Sequence, residues 1–339
     1  MGSRPTIYDV AQQCGVAAST VSRAFSNPRR VNATTRELVR ETARRIGYQP
    51  RPLARAEAPG RARTLTLVVA DIANPYYAAL VKAVQARAIE LDYTLALADS
   101  DESPRVEASN LRRLLAATSG GILATSRLCD DTVRGLARHR PLVTINRDIT
   151  GIPNLQLDTA AGMRAAVRHL AELGHRRIGY LAGPRNSWMN GRRWNAIHDE
   201  AAELGLHAVY LGPHAPTRPG GQEAAEAFAR DGATAAIGYN DLIAIGAVER
   251  LRSRGIRVPG ERSVVGCDDV FGADLMVPAL TTLAGPIEQV GARAVDLVHA
   301  ELTGMPAESA TFDVRLVVRD STGPPDPTGP RDPAATGGN

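Results

Sequence analysis

Thr6-Ile-Tyr-Asp-Val-Ala-Gln-Gln-Cys-Gly-Val-Ala-Ala-Ser-Thr-Val-Ser-Arg-Ala-Phe25 reads as two short helices separated by a turn. Thr6 can cap a helix over Ile7–Gln13, in which Ile7, Val10 and Ala11 share one face at helical spacing. Gly15 supplies the tight turn. A second helix is expected from about Ser19 to Phe25, with Val21 and Phe25 at i, i+4, and Asn27-Pro28 ends it. Asn32 caps a third helix whose buried stripe is Leu38, Val39, Thr42, Ala43 and Ile46, with Gly47 as its stop. Helix, glycine turn, helix is the helix-turn-helix arrangement, whose second helix normally enters a major groove.

The charge around this stretch agrees. Residues 1–63 hold twelve arginines against Asp9, Glu37, Glu41 and Glu57, a surplus of eight. The whole chain of 339 residues carries only +4, so the remainder is at −4. A small basic head on a mildly acidic body is the footprint of nucleic-acid binding, the bland alternative being a solvated basic tail.

Outward from the head, QPRPLARAEAPGRAR over residues 49–63 is a Pro/Gly-marked linker with room for one short helix, Pro52–Ala58. Strand candidates then alternate with helices: Leu65–Ala70, Thr94–Ala98, Gly121–Ala124, Leu142–Ile145, Ile178–Leu181, Ala235–Gly238 and Ser263–Val265. Several helices stop at glycine, at Gly174, Gly205, Gly255 and Gly304. Near-continuous apolar strands between helices argue for parallel sheets covered on both faces. The pattern is long for one doubly wound sheet, so two subdomains flanking a cleft are expected, with ligands beyond the carboxyl ends of the strands. Four segments follow: a headpiece over 1–49, a hinge linker over 50–63, a ligand-binding and dimerisation body over 64–320, and a tail over 321–339. That tail is Pro/Gly-rich, reads as disordered, and shows no leucine heptads that would suggest a tetramerisation coil.

Composition excludes other classes. No run approaches the roughly 18 apolar residues of a membrane span, and no secretory pattern precedes Val10, which predicts a cytoplasmic location. Cys14, Cys129 and Cys267 are odd in number and lack metal or redox spacing. No G-x-G-x-x-G follows the first strand, and no Walker, H-E-x-x-H or G-x-S-x-G motif occurs. Asp268-Asp269 lacks nearby partner ligands for a metal, and His175, at a helix stop, reads as a cap rather than a base. An enzyme is not expected, nor is a cofactor.

The run from Thr6 to Phe25 closely resembles the headpiece of the lactose/galactose repressor family. The likeness continues through Thr35-Arg36, Ile46-Gly-Tyr-Gln-Pro50 and Asn74-Pro-Tyr-Tyr77. It extends to Gly174-His-Arg-Arg-Ile-Gly-Tyr-Leu-Ala-Gly-Pro184, Asn240-Asp241, Val258-Pro259, Ser263-Val-Val-Gly-Cys-Asp-Asp269 and Pro278-Ala-Leu-Thr-Thr282, in order over about residues 5–320. The resemblance implies a regulator with a periplasmic-binding-protein-like body of two doubly wound parallel-sheet subdomains. It further implies a homodimer on a pseudo-palindromic operator, controlled by a small-molecule effector.

Carried over residue by residue, the base readers are Ala18, Ser19 and Arg23. Arg23 can offer a bidentate fork to guanine, and Ala18 only a methyl contact. Thr6, Thr20, Ser22 and Asn32 suit phosphate oxygens. Capping for Ser19 and Thr20, and a surface ion pair for Arg23, are the structural alternatives. In the hinge, Leu53 and Arg55 are the implied DNA contacts. Family members wedge a leucine into the minor groove, but that position is Glu57 here, which predicts less kinking or insertion of Leu53 instead. The implied effector contacts are Tyr76, Tyr77, Asn146, Arg193, Asn240 and Asp268. Aromatic faces and mixed donors and acceptors suit a sugar or sugar phosphate first and a nucleoside second. A helix cap for Asn240 and a turn role for Asp268 are the bland alternatives. Trp188 and Trp194, near Arg193, fit core packing as well as ligand stacking. A solute-binding protein without regulatory function is the competing class, and the effector can either relieve or promote DNA binding.

Overall fold

The computed structural model describes residues 5–26, 31–46, 48 and 63–326. The hinge positions Leu53, Arg55 and Glu57, the stop at Gly47 and the Asn27-Pro28 break lie outside these residues. Headpiece and body are separate compact units.

The headpiece is three helices, α1 (Ile7–Cys14), α2 (Ala18–Ser26) and α3 (Ala33–Ile46). Thr6 caps α1 by a reciprocal box. Its hydroxyl accepts from the Asp9 amide, and the Asp9 carboxylate accepts from the Thr6 amide at 2.6 Å. The Thr6 contacts hold the Asp9 carboxyl below its ordinary range. Gly15 adopts the left-handed φ of 64° that ends α1, returning its N–H to Ala11 and Gln12. Asn32 caps α3, its Oδ1 accepting from the Thr35 amide at 2.7 Å. Val10, Ala11, Val21, Ala24, Val39 and Ala43 form the core, with Ile7, Phe25 and Ile46 packed against it. Leu38 departs from the expected stripe. It is 47% exposed, because Val39, Thr42 and Ala43 already fill the narrow face turned toward α1 and α2.

The body has two parallel sheets. The first runs β11-β5-β4-β3-β1-β2, from β1 (Thr64–Val69), β2 (Thr94–Asp99), β3 (Gly120–Ala124), β4 (Leu142–Ile145), β5 (Asn154–Leu157) and β11 (Ala310–Phe312). Helices α4 (Pro75–Glu90), α5 (Pro104–Ala117) and α6 (Asp130–Ala137) connect its strands. The second runs β7-β6-β8-β9, from β6 (Arg177–Leu181), β7 (His207–Leu211), β8 (Ala235–Gly238) and β9 (Ser263–Val265). It alternates with α7 (Thr159–Glu172), α8 (Trp188–Glu203), α9 (Arg218–Arg230) and α10 (Asp241–Ser253). A small antiparallel pair, β10 (Thr282–Ala284) with β12 (Arg315–Val317), lies where the chain passes between subdomains. The passages join β5 to α7, β10 to α11 (Ile287–Thr303), and β11 to β12. Helix α11 returns to the first subdomain, where Arg87 meets Asp296 at 2.7 Å.

Two expectations need correction. The chain is anchored beyond residue 320. Ser321 is fully buried, its hydroxyl donating to the Val264 carbonyl at 2.6 Å and accepting from the Thr281 amide at 2.8 Å. Composition alone hides this, because the anchor is a hydroxyl that satisfies strand ends rather than an apolar side chain. His175 is a buried tie rather than a cap. Its ring reaches Thr234 Oγ1 at 2.7 Å, Ser263 Oγ at 3.1 Å and the Gly323 carbonyl at 3.0 Å, and burial depresses its pKa to about 4.

Candidate functional site

Both sheets present the carboxyl ends of their strands to the same gap. Tyr76 and Tyr77 lie in the first turn of α4 just after β1, held by Asn74, whose Oδ1 accepts the Tyr76 amide at 3.1 Å. Their rings meet edge to face at 5.1 Å. The Tyr77 hydroxyl bonds Thr125 Oγ1 at 2.5 Å, at the end of β3. Asn146 follows β4 in the left-handed region, φ 54°, where its side chain is over-determined. It donates to the Tyr76 hydroxyl at 3.0 Å and accepts the Leu157 amide at 2.9 Å. Burial raises the pKa of both tyrosines, so each is a neutral hydroxyl.

From the second subdomain, Arg193 projects from α8. Its Nε donates to Thr159 Oγ1 at 3.4 Å, Nη1 donates to the Tyr239 carbonyl, and the guanidinium lies 4.7 Å over the Tyr239 ring. Asp268, after β9 and at φ 130°, stands 3.8 Å from Arg193 Nη2. Burial pushes the Asp268 carboxyl up to about 7, with Arg193 pulling the other way. Asn240 serves as the N-cap of α10, accepting the Ile243 amide at 2.9 Å and donating to the Pro216 carbonyl at 3.0 Å. The bland role for Asn240 is therefore present, and the residue still faces the gap.

All six implied contacts, Tyr76, Tyr77, Asn146, Arg193, Asn240 and Asp268, line one cavity of about 20 Å³. Reasoning from sequence missed Glu102, Thr125, Arg127, Met189, Pro216 and Tyr239, which together with Asn74 complete the lining. Strand ends mark Thr125 and Tyr239, but no local pattern marks Glu102 or Arg127. Neither tryptophan reaches the cavity. Trp194 stacks on Tyr180 at 6.0 Å and meets the Tyr210 edge at 5.3 Å, while Arg192 lies 4.7 Å over the Trp188 ring. Among the described residues no His, Cys, Asp and Glu are grouped to hold a metal, and Asp269 is paired with Arg319 at 2.7 Å.

On the headpiece, Ser19 and Arg23 lie one turn apart on the exposed face of α2, opposite the buried Val21 and Ala24. Ala18, Thr20 and Ser22 are half-buried at its flanks. Thr6 and Asn32 spend their oxygens on helix caps. The alternative of an ion pair for Arg23 finds no carboxylate within salt-bridge distance among the described residues.

A three-helix unit of this kind in one chain with a two-lobed body carrying a polar cleft defines a class: a DNA-binding headpiece joined to a ligand-binding domain. Residues 6–51 match bacterial regulatory proteins of the lacI family, and residues 167–322 match a periplasmic binding protein-like domain. The chain is 32% identical over 332 residues to the HTH-type transcriptional regulator GalR of Escherichia coli, covering 94% of this chain and 96% of that protein. It is 30% identical over 333 residues to the HTH-type transcriptional regulator DegA of Bacillus subtilis, covering 95% and 99%. The lac repressor dimer bound to operator and the anti-inducer ONPF superposes with a TM-score of 0.71 at 26% identity, over 95% of this chain and 100% of that one. A complex of the transcriptional regulator CelR with cellobiose gives 0.68 at 27% identity, over 94% and 100%. This chain belongs to the lacI family of bacterial regulatory proteins. It is a transcriptional regulator with a helix-turn-helix domain and a periplasmic-binding-protein-like domain, and its relatives are regulators rather than enzymes. No helix among the described residues is long and apolar enough to cross a membrane.

Proposed function

We propose that this chain is a cytoplasmic repressor that binds a pseudo-palindromic operator as a homodimer and is controlled by a sugar held between its two subdomains. The observation that carries the reading is the convergence of six side chains, from α4, α8 and the turns after β4, β8 and β9 of both subdomains, on one polar, tyrosine-lined cleft. Ala18, Ser19 and Arg23 read bases, with Arg23 on guanine, while Thr6, Thr20, Ser22, Asn32 and the hinge residues Leu53 and Arg55 contact the backbone and minor groove. Tyr76, Tyr77, Asn146, Arg193, Asn240 and Asp268 hold the effector. Hydroxyl groups need mixed donors and acceptors beside flat apolar faces, and the cleft offers both. The CelR relative solved with cellobiose supports a sugar. Phe271, Leu275 and Val277, 86%, 67% and 72% exposed, form an apolar strip after β9 that a second copy would cover.

The test is a fluorescence-anisotropy titration onto the chain's own upstream DNA, with and without a panel of sugars and nucleosides. Nanomolar binding that weakens steeply with salt and is released by one sugar is the expected result. A sugar that binds the body while no DNA is bound specifically would replace this reading with that of a solute-binding protein.

A further inference from the structure

The cleft is lined by four charged side chains, and they come as two self-contained pairs, one on each wall. On the first subdomain, Arg127 contacts Glu102 Oε2 through both Nε and Nη2 at 2.6 Å, and its side chain is only 2% exposed. Its Nη1 donates to the Thr125 carbonyl at 3.1 Å. The loop carrying it is fastened at the backbone too, where the Arg127 amide donates to Glu107 Oε2 of α5 at 2.8 Å. On the second subdomain, Arg193 and Asp268 form the matching pair at 3.8 Å, both side chains nearly enclosed. The lining therefore brings two guanidinium groups and two carboxylates to one small space.

We propose that the effector is an uncharged polyhydroxylated molecule rather than a phosphorylated or carboxylated one, and that Glu102-bound Arg127 sets this selectivity. This rests on the effector reading given above. A phosphate brings close to two negative charges and must leave water to enter. Here Arg127 already has its counter-charge in Glu102 and Arg193 stands 3.8 Å from the Asp268 carboxyl, so either arginine is reached only beside an acidic group that disfavours an anion. A hydroxyl meets no such conflict, because it donates to a carboxylate oxygen and accepts from a guanidinium N–H at once. Glu102 engages Arg127 through Oε2 alone, which leaves Oε1 to accept a hydroxyl proton. The bonds of Asp268 likewise use Oδ1, leaving Oδ2. Vicinal hydroxyls thus find an acceptor and a donor side by side on both walls, framed by the rings of Tyr76 and Tyr239.

The experiment is calorimetric titration of the full chain with glucose, galactose, ribose and cellobiose, then with glucose 6-phosphate, ribose 5-phosphate, glucuronate and adenosine. Binding of at least one neutral sugar, with its phosphate or acid bound at least 100-fold more weakly, is expected. The Glu102→Gln variant, its fold checked by thermal melting, should lose at least tenfold in affinity for the neutral sugar and narrow that ratio by tenfold or more. A wild-type preference for a phosphate or acid over its neutral parent overturns the proposal and leaves the sugar-cleft reading intact. An unchanged ratio in Glu102→Gln overturns the role of the pair. Binding of adenosine alone, or of nothing in the panel, overturns both the proposal and the sugar reading.

Discussion

Arg193 shows how much a single residue carries in this body. Its guanidinium touches a hydroxyl, a carbonyl, a carboxylate and a ring at once, which a rigid fork achieves and a point charge does not. Arg193→Lys keeps the charge beside Asp268 but loses the fork. Effector affinity should fall about 10- to 100-fold, one to two multiples of ~1.4 kcal/mol, while operator affinity without effector stays within about twofold. Calorimetry and anisotropy on the same preparation check the two halves. The hinge offers a second substitution. A carboxylate at position 57 is poorly suited to a place between stacked bases beside phosphates. Glu57→Leu should therefore tighten operator binding and increase bending in a gel-based bend assay, and unchanged affinity would sink the idea. At this scale the sequence was readable where a residue follows a strand, as Asn146 and Asp268 do. Arg127 and Glu102 were unreadable because they become partners only through the packing of two loops 25 positions apart.

The same contrast holds for elements. Seven strands announced themselves as apolar runs, since a parallel strand covered on both faces must be apolar throughout. β1, β3, β4, β6, β8 and β9 are almost wholly buried, while β2, at the sheet edge and only partly covered, still shows as the apolar run Leu95-Ala-Leu-Ala98. The strands that escaped are β5, β7, β10, β11 and β12. They are short, lie at edges or passages, or carry polar residues such as Asn154 and Gln156, so pairing rather than composition makes them strands. Helix α10 holds a different clue. Gly246 sits in its middle, where glycine is unfavourable, and a methyl there would lie 2.0 Å from the Arg218 carbonyl oxygen of α9. The helices approach at backbone contact because this position has no side chain. Gly246→Ala should force them apart and cost about 2–3 kcal/mol, the upper range for overpacking. That corresponds to a melting temperature lower by roughly 5–10 °C, read by circular dichroism; an unchanged melt would show that the helix pair yields freely.

Across the whole body, stability carries a pH signature. Asp241 is completely buried, accepting from Thr282 Oγ1 at 2.5 Å and the Val270 amide at 2.8 Å, and burial pushes its carboxyl up to about 6. The folded chain therefore holds this proton more tightly than the unfolded one does. Its contribution to stability is fully present below about pH 4 and is lost as the pH rises to about 6, a change of roughly 3 kcal/mol. Asp241→Asn should raise stability relative to wild type at pH 7 and lose that advantage at pH 4. Urea melts at the two values measure the difference, and an equal effect at both would rule out ionisation as the cause. The apolar strip makes an assembly prediction. Phe271→Asp should convert dimers to monomers in sedimentation velocity and weaken operator binding at least tenfold while leaving the body folded. A variant that sediments as wild type would move the interface elsewhere.

The narrowness of the gap between the subdomains has a consequence for time as well as for affinity. A space of about 20 Å³ admits a water molecule but no sugar ring. Entry must therefore wait for the lobes to part. The observed association rate then levels off at the opening rate once effector is abundant, instead of climbing with concentration. The apparent dissociation constant is the intrinsic one divided by the fraction of molecules open at any instant, so an open population of about 1% weakens binding about 100-fold. Loosening the closed form, without touching any group that contacts the effector, would make the regulator respond both sooner and to less.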